Sequence, residues 1–335
     1  MSWSSLITEI TSETGLQLYN SIKGKRSIGP LYLDCFDRSI AIARNELEKY
    51  LADPVTYTSV YPGEVIQFDG NSGTGKTEIQ IFLILTTIIP EFQEFQVNQD
   101  MIKVHLGGRG KSVIFIDTEG KLRVERIFEL VKLHFVRCLR KVKVSAYDEL
   151  HEEINQLILE WLERVHIFRP NSTLQLLSTI KRLPSYLSQL QESTHFLFLD
   201  SPSTFYWMDR LESQSLGTFV PLHKSLAQSI RDISLEWGLV VCISNPVLLS
   251  PEKREYNSGS SLHDSLVIRE HLPPIWKECI NYRFIIAHEE VGQSRCNDPK
   301  VGIFWNKSDL RIGKMVTPMV GQVFRFHVNG EGVVS

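Results

Sequence analysis

Gly70-Asn71-Ser72-Gly73-Thr74-Gly75-Lys76-Thr77 is a complete G-x-x-x-x-G-K-[ST] run, and its reading decides the fold. Val65-Ile66-Gln67-Phe68 in front of it reads as a short buried strand, entered through the turn Pro62-Gly63-Glu64. Glu78 to Ile89 behind it reads as a helix, stopped by Pro90. Strand, glycine loop and helix in that order make a phosphate-binding loop, not a chance glycine turn. Glycine keeps Cβ atoms away while backbone N–H groups converge on an anion. The helix that follows turns its positive end to the same place. Lys76 then reaches the β- and γ-phosphates, and the Thr77 hydroxyl ligates Mg²⁺. Residues Gly70, Asn71, Ser72, Gly73, Thr74, Gly75, Lys76 and Thr77 are therefore the expected nucleotide site, with ATP and Mg²⁺ the expected ligands.

The remainder of the chain supports an α/β domain of some size. It has 335 residues, 42% of them hydrophobic and 22% charged, as in a globular protein with ample core. Its longest uncharged apolar run, Ile79 to Pro90, is too short to cross a bilayer, so no membrane partner is expected. The five cysteines are widely spaced and form no C-x-x-C pair, which predicts reduced thiols in a cytosolic or nuclear protein. The ten histidines show no metal-ligand spacing. A net charge of −3 gives no general field that would draw nucleic acid.

Outward from the loop, apolar runs alternate with helical patterns. Val113 to Asp117, Val165 to Phe168, Phe196 to Asp200 and Leu239 to Ile243 read as strands. Ile40 to Leu51, Arg123 to Leu139, Asp148 to Glu163 and Leu174 to Leu190 read as helices, with Pro184 kinking or breaking the last. Solid apolar strands alternating with helices predict a mostly parallel central sheet covered on both faces. Tyr282 to Ala287, Val301 to Trp305 and Val323 to Val328 read as shorter strands, predicting antiparallel additions at one edge of the sheet. Between Pro90 and Val113 the chain reads as a polar connection. It contains His105-Leu106-Gly107-Gly108-Arg109-Gly110-Lys111-Ser112, which mimics a second phosphate loop. His105 stands in place of the first glycine, however, and the segment precedes a strand instead of following one, so it reads as a turn. Arg137, Arg140, Lys141 and Lys143 gather at a helix C-terminus. That cluster fits either a solvated helix end or a nucleic-acid patch.

Hydrolysis of a bound triphosphate also needs a metal-orienting acid and a group that orients water. Asp200 ends an apolar strand, where ligands sit in an open parallel sheet, and is the candidate metal partner beside Thr77. Glu119, just past the end of the strand at Asp117, is the candidate catalytic residue for orienting the water.

Together these elements resemble the RecA family of recombinases in its eukaryotic branch. The resemblance is carried by Gly107-Gly108-Arg109-Gly110-Lys111, by Ile116-Asp117-Thr118-Glu119-Gly120-Lys121-Leu122-Arg123-Val124-Glu125-Arg126, by Phe198-Leu199-Asp200-Ser201 and by Phe324 to Val333. It covers most of residues 12–335, loosely from 248 to 300. It implies a RecA-type core over residues 59–335 behind a short segment, 1–58, in place of a helix-hairpin-helix domain. It also implies nuclear DNA repair by homologous recombination.

Departures from the family pattern bear on mechanism. Active members place Thr-Asn-Gln after the strand read here as Leu239 to Ile243, and the glutamine couples the γ-phosphate to a DNA-binding loop; this chain has Ser244-Asn245-Pro246. Residues 250–271 set Lys253, Arg254 and Arg269 against Glu252, Glu255, Asp264 and Glu270, so the loop is not basic. The first DNA loop, after Trp207, carries Arg210 and then little positive charge before His223-Lys224, and no clear Phe-x-x-Ala polymerisation element precedes the core. The expectation is an ATP-binding accessory protein in a hetero-oligomer with another RecA-family paralogue and its recombination mediators, touching single-stranded DNA weakly or through the complex. The rival is a DNA-dependent ATPase performing strand exchange itself. A small-molecule kinase fits less well, because Glu119 and the Asp200 strand suit water activation.

Overall fold

The computed structural model describes residues 27–48, 60–97, 100–142, 151–217, 219–251, 266–269, 272–288 and 309–334. Its centre is strand β1 (Val65–Gly70), which runs into the phosphate loop and then helix α2 (Lys76–Ile88). Parallel neighbours flank β1: β7 (Val240–Pro246) on one side and β10 (Tyr282–His288) on the other. Beyond β7 the sheet continues in parallel through β6 (Thr194–Asp200), β4 (Ser112–Asp117) and the edge strand β5 (Val165–Phe168). Beyond β10 it turns antiparallel through β11 (Leu310–Thr317), β12 (Met319–Asn329) and β13 (Gly332–Val334). The order β13-β12-β11-β10-β1-β7-β6-β4-β5 is thus a mostly parallel α/β sheet with antiparallel strands at one edge. Tyr282–His288 belongs to the parallel core, and the antiparallel additions begin only after it. Val301 to Trp305 lies outside the described residues, as does the expected boundary near residue 58.

Both faces of the sheet are covered, and its central strand is buried along its whole length. On one face lie α1 (Asp34–Glu48), α2, α3 (Val124–Lys141) and α4 (His151–Leu162). Phe36 of α1 packs edge-on against Phe68, Phe284, Phe324 and Phe326, so the helix joins the core of the domain. The buried pair Arg44–Glu64 holds its far end, with Arg44 Nη2 2.6 Å from Glu64 Oε1. On the other face lie α5 (Thr173–Leu187), α7 (Phe219–Trp237) and the short α8 (Ile275–Cys279). Helix α5 passes through Pro184 instead of breaking there. The proline sits in the last turn, three residues before the helix ends, so little helix remains to be disturbed. The chain after Trp207, read as a loop, is helix α6 (Tyr206–Leu216).

The stretch from Pro90 to Val113 is more ordered than a polar connection. It forms a hairpin of β2 (Phe92–Val97) and β3 (Asp100–His105), anchored by buried Phe95 against Phe135 of α3. The glycines after it form a turn whose N–H groups are already taken up by backbone carbonyls. The N–H groups of Gly108, Arg109, Gly110 and Lys111 donate to the carbonyls of Pro90, Thr86, Ile89 and Thr87, finishing the C-terminus of α2. Gly108 is required there, since a Cβ would lie 2.2 Å from the Ile89 carbonyl oxygen. The Arg109 guanidinium is buried, and its Nε donates to the Ile28 carbonyl at 3.2 Å, tying the chain before α1 to this turn.

Candidate nucleotide-binding site

The phosphate loop leaves β1 at Gly70 and enters α2 at Lys76. Gly70 fits because its Cα faces β10; a Cβ would sit 2.4 Å from the Ile286 carbonyl oxygen. Gly73 and Gly75 adopt left-handed φ of 81° and 95°, which turns the loop into the helix with little steric cost. Lys76 is buried, and its Nζ folds back to donate to the carbonyls of Gly70 and Asn71, 2.8 Å each. Burial lowers its pKa, while Asp200, Glu119 and Asp69 pull it back up.

Asp200 ends β6 opposite Asp117 of β4 in the parallel ladder. Its side chain is buried and reaches two neighbours: Thr77 Oγ1 donates to Oδ2 at 2.8 Å, and Ser244 Oγ donates to Oδ1. Burial raises the Asp200 pKa, and the Ser244 and Thr77 bonds oppose the rise. Thr118 fixes this strand end, its Oγ1 lying 2.9 Å and 2.8 Å from the carbonyls of Asp200 and Ser201. Glu119 follows at once. Its Oε2 pairs with Lys121 Nζ and its Oε1 lies 3.5 Å from Ser201 Oγ.

Asn71, Ser72, Thr74 and Thr77 follow the glycines on the same turn, so the loop residues, Asp200 and Glu119 all gather at the carboxyl ends of β1, β4 and β6. The donor set fits a magnesium triphosphate. The candidate metal ligands are a hydroxyl and a carboxylate oxygen, hard donors of the kind Mg²⁺ takes together with phosphate and water. Among the described residues no group of three or more His, Cys, Asp and Glu could hold a metal by itself, which agrees with a site that the nucleotide's own oxygens would complete.

Three participants escaped the sequence reading. Ser244 was read only as part of Ser244-Asn245-Pro246, yet β7 runs on through Pro246 and places Ser244 on Asp200. Asn245 hydrogen-bonds Asp69, which is buried with Arg283 and Gln67 just before the loop. His288, at the end of β10, hydrogen-bonds the backbone of Gly73; burial and the Arg311 charge lower its pKa. The rule that found Asp200, a polar residue at the carboxyl end of an apolar strand, also selects His288. The basic cluster on α3 is partly committed, since Arg137 pairs with Glu331 at the β12–β13 turn, and Lys143 lies outside the described residues. Most of residues 250–271 lie outside them as well.

No family model matches the chain. It is 24% identical over 285 residues to a DNA repair protein XRCC2 homologue of Arabidopsis thaliana, a match covering 73% of this chain and 74% of the relative. It is 25% identical over 240 residues to DNA repair protein XRCC2 of Mus musculus, covering 69% and 75%. It is 28% identical over 197 residues to the DNA repair and recombination protein RadB of Methanothermobacter thermautotrophicus, covering 58% and 64%. No helix among the described residues is long and apolar enough to cross a membrane. Joined to the fold and the phosphate loop, these matches support an XRCC2-like paralogue of the RecA family, with a role in DNA repair and recombination.

Proposed function

We propose that this chain is a nuclear, ATP-binding accessory protein of homologous recombination. It acts in a hetero-oligomer with another RecA-family paralogue and supports recombinase filaments on single-stranded DNA. The observation that carries this reading is a contrast between neighbouring residues at the carboxyl end of β7. Ser244 donates to Asp200, which also takes the Thr77 hydroxyl, as a nucleotide site would require. At Pro246, which lies opposite Gly70 in the β7–β1 ladder, the position that would couple nucleotide to a DNA loop holds a residue with no side-chain hydrogen-bonding group.

In this reading the N–H groups of the loop receive the phosphates. Lys76 exchanges its bonds to the Gly70 and Asn71 carbonyls for bonds to phosphate oxygens. Thr77 and Asp200 would hold Mg²⁺, which would offset the triphosphate charge. Ser244 keeps Asp200 oriented, and Glu119 orients a water. The chain is an adaptor whose nucleotide sets its fit to a partner, and hydrolysis resets it. A strand-exchange enzyme is disfavoured by Pro246 and by the net charge of −3.

Purification of the chain at its native level, with and without ATP, tests this. A RecA-family paralogue recovered in stoichiometric amount, and lost when Lys76 is changed to alanine, supports the adaptor. A chain recovered alone under both conditions contradicts it.

A further inference from the structure

The turn between β4 and α3 carries a cation that the proposed function leaves unused. Asp117 accepts the backbone N–H of Lys121 at 3.1 Å and of Leu122 at 3.2 Å, and Gly120 takes a left-handed φ of 66°. The closed turn brings Lys121 and Glu119 side by side, and Lys121 Nζ meets Glu119 Oε2. The other two carboxylates here are already bound: Asp117 by these N–H groups and by Arg169, Asp200 by Thr77 and Ser244. Glu119 has Lys121 as its ion-pair partner, besides the long contact to Ser201.

The two partners differ in freedom. The Glu119 side chain is 18% exposed and is held against the site, whereas Lys121 is 62% exposed on a flexible stem. The ion pair occupies the oxygen that would take a hydrogen bond from water. We infer that Lys121 is a positioning residue that clamps Glu119, keeping its carboxylate off the attacking water until the lysine is drawn away. This rests on the reading of Glu119 as the water-orienting group. It adds a built-in brake to that group, suited to a switch that must persist in its ATP state. The exposed lysine is free to leave when a carboxylate or phosphate group of a partner competes for it.

The test uses the full-length chain as wild type, Lys121→Met, Lys121→Arg and Glu119→Gln, with single-turnover ATP hydrolysis and ATP affinity measured separately. Lys121→Met should hydrolyse ATP about fivefold faster, as expected for release of one partly exposed ion pair, with ATP affinity changed less than about twofold. Lys121→Arg keeps the cation and should stay at the wild-type rate. In nucleotide-free protein, acetylation of Lys121 by an activated ester, read by peptide mass spectrometry, should be faster in Glu119→Gln than in wild type. Lys121→Met no faster than wild type, while Glu119→Gln abolishes turnover, would overturn the clamp and leave the role of Glu119 standing. Glu119→Gln hydrolysing as fast as wild type would overturn both. Equal acetylation of Lys121 in the two proteins would show that the pair does not hold the lysine in solution.

Discussion

Thr77 donates its hydroxyl to Asp200 at 2.8 Å across 123 positions of sequence, and this bond joins the phosphate loop to the end of β6. Ser244 grips the other carboxylate oxygen from β7. One acid therefore joins the start of α2 to β6 and β7. The bond also supplies a reason for Asp200 to stay buried and oriented before any ligand arrives.

Lys76→Ala should abolish tight ATP binding and leave the fold intact. Charge-assisted hydrogen bonds are worth roughly 1.5–3 kcal/mol each, so losing them weakens ATP by about 10- to 100-fold or more. Thermal-shift titration of the wild type and the variant checks this. Equal ATP-dependent shifts in the two proteins would remove Lys76 from the site.

Asp200→Asn and Glu119→Gln should separate two roles. The first removes a negative charge from the Mg²⁺ site and should raise the Mg²⁺ concentration needed for ATP binding by about tenfold, the equivalent of about 1.4 kcal/mol. It should not lower the melting temperature of nucleotide-free protein, because burial already opposes the charge on Asp200. The second should keep ATP binding and lose hydrolysis, since an amide is no base. Loss of binding in Glu119→Gln would place Glu119 in the binding contacts instead.

How much of this was legible in the sequence follows the range of the interactions. The phosphate loop is contiguous, so one stretch of eight residues carries it. Asp200 was visible because it closes an apolar strand, and Glu119 because it lies just past the end of the next one. The hairpin Phe92–His105 was not, because neither of its strands shows the period-2 alternation of apolar and polar residues that marks a strand. Ser244 matters through a partner far away in sequence, Asp200, and no local pattern announces that pairing, whereas His288 closes an apolar strand and the rule that found Asp200 reaches it too. The false phosphate loop at Gly107–Ser112 was separable because it precedes its strand. What the sequence could not supply was its task, which is to satisfy the last carbonyls of α2.

Two titratable groups should oppose each other in acid. The His195 pKa is lowered to about 4 by burial, with Arg109 and Lys111 acting in the same direction. An unfolded histidine takes up its proton near 6.5, so the contribution of His195 is complete above that pH and is lost as pH falls from about 6.5 to about 4. Asp37 has the reverse sign. Burial raises its pKa to about 6, so its contribution is complete below its unfolded value and is lost as pH rises through about 6. Urea unfolding of His195→Gln against wild type isolates the first term. The variant should gain on the order of 1 kcal/mol relative to wild type between pH 7 and pH 4.5, once the shift is discounted for solvent screening of the half-buried ring. An unchanged difference across that range would mean that His195 titrates normally in the folded protein.

Binding of the isolated chain to single-stranded DNA across a salt series measures most directly whether this protein is an accessory or the strand-exchange enzyme. Each neutralised phosphate adds about 0.7 to the slope of log affinity against log salt. With a net charge of −3, the account predicts weak binding and a slope of about two phosphates or fewer, read by fluorescence anisotropy. Submicromolar binding by the lone chain with a steep salt dependence would contradict it and make strand exchange the better reading.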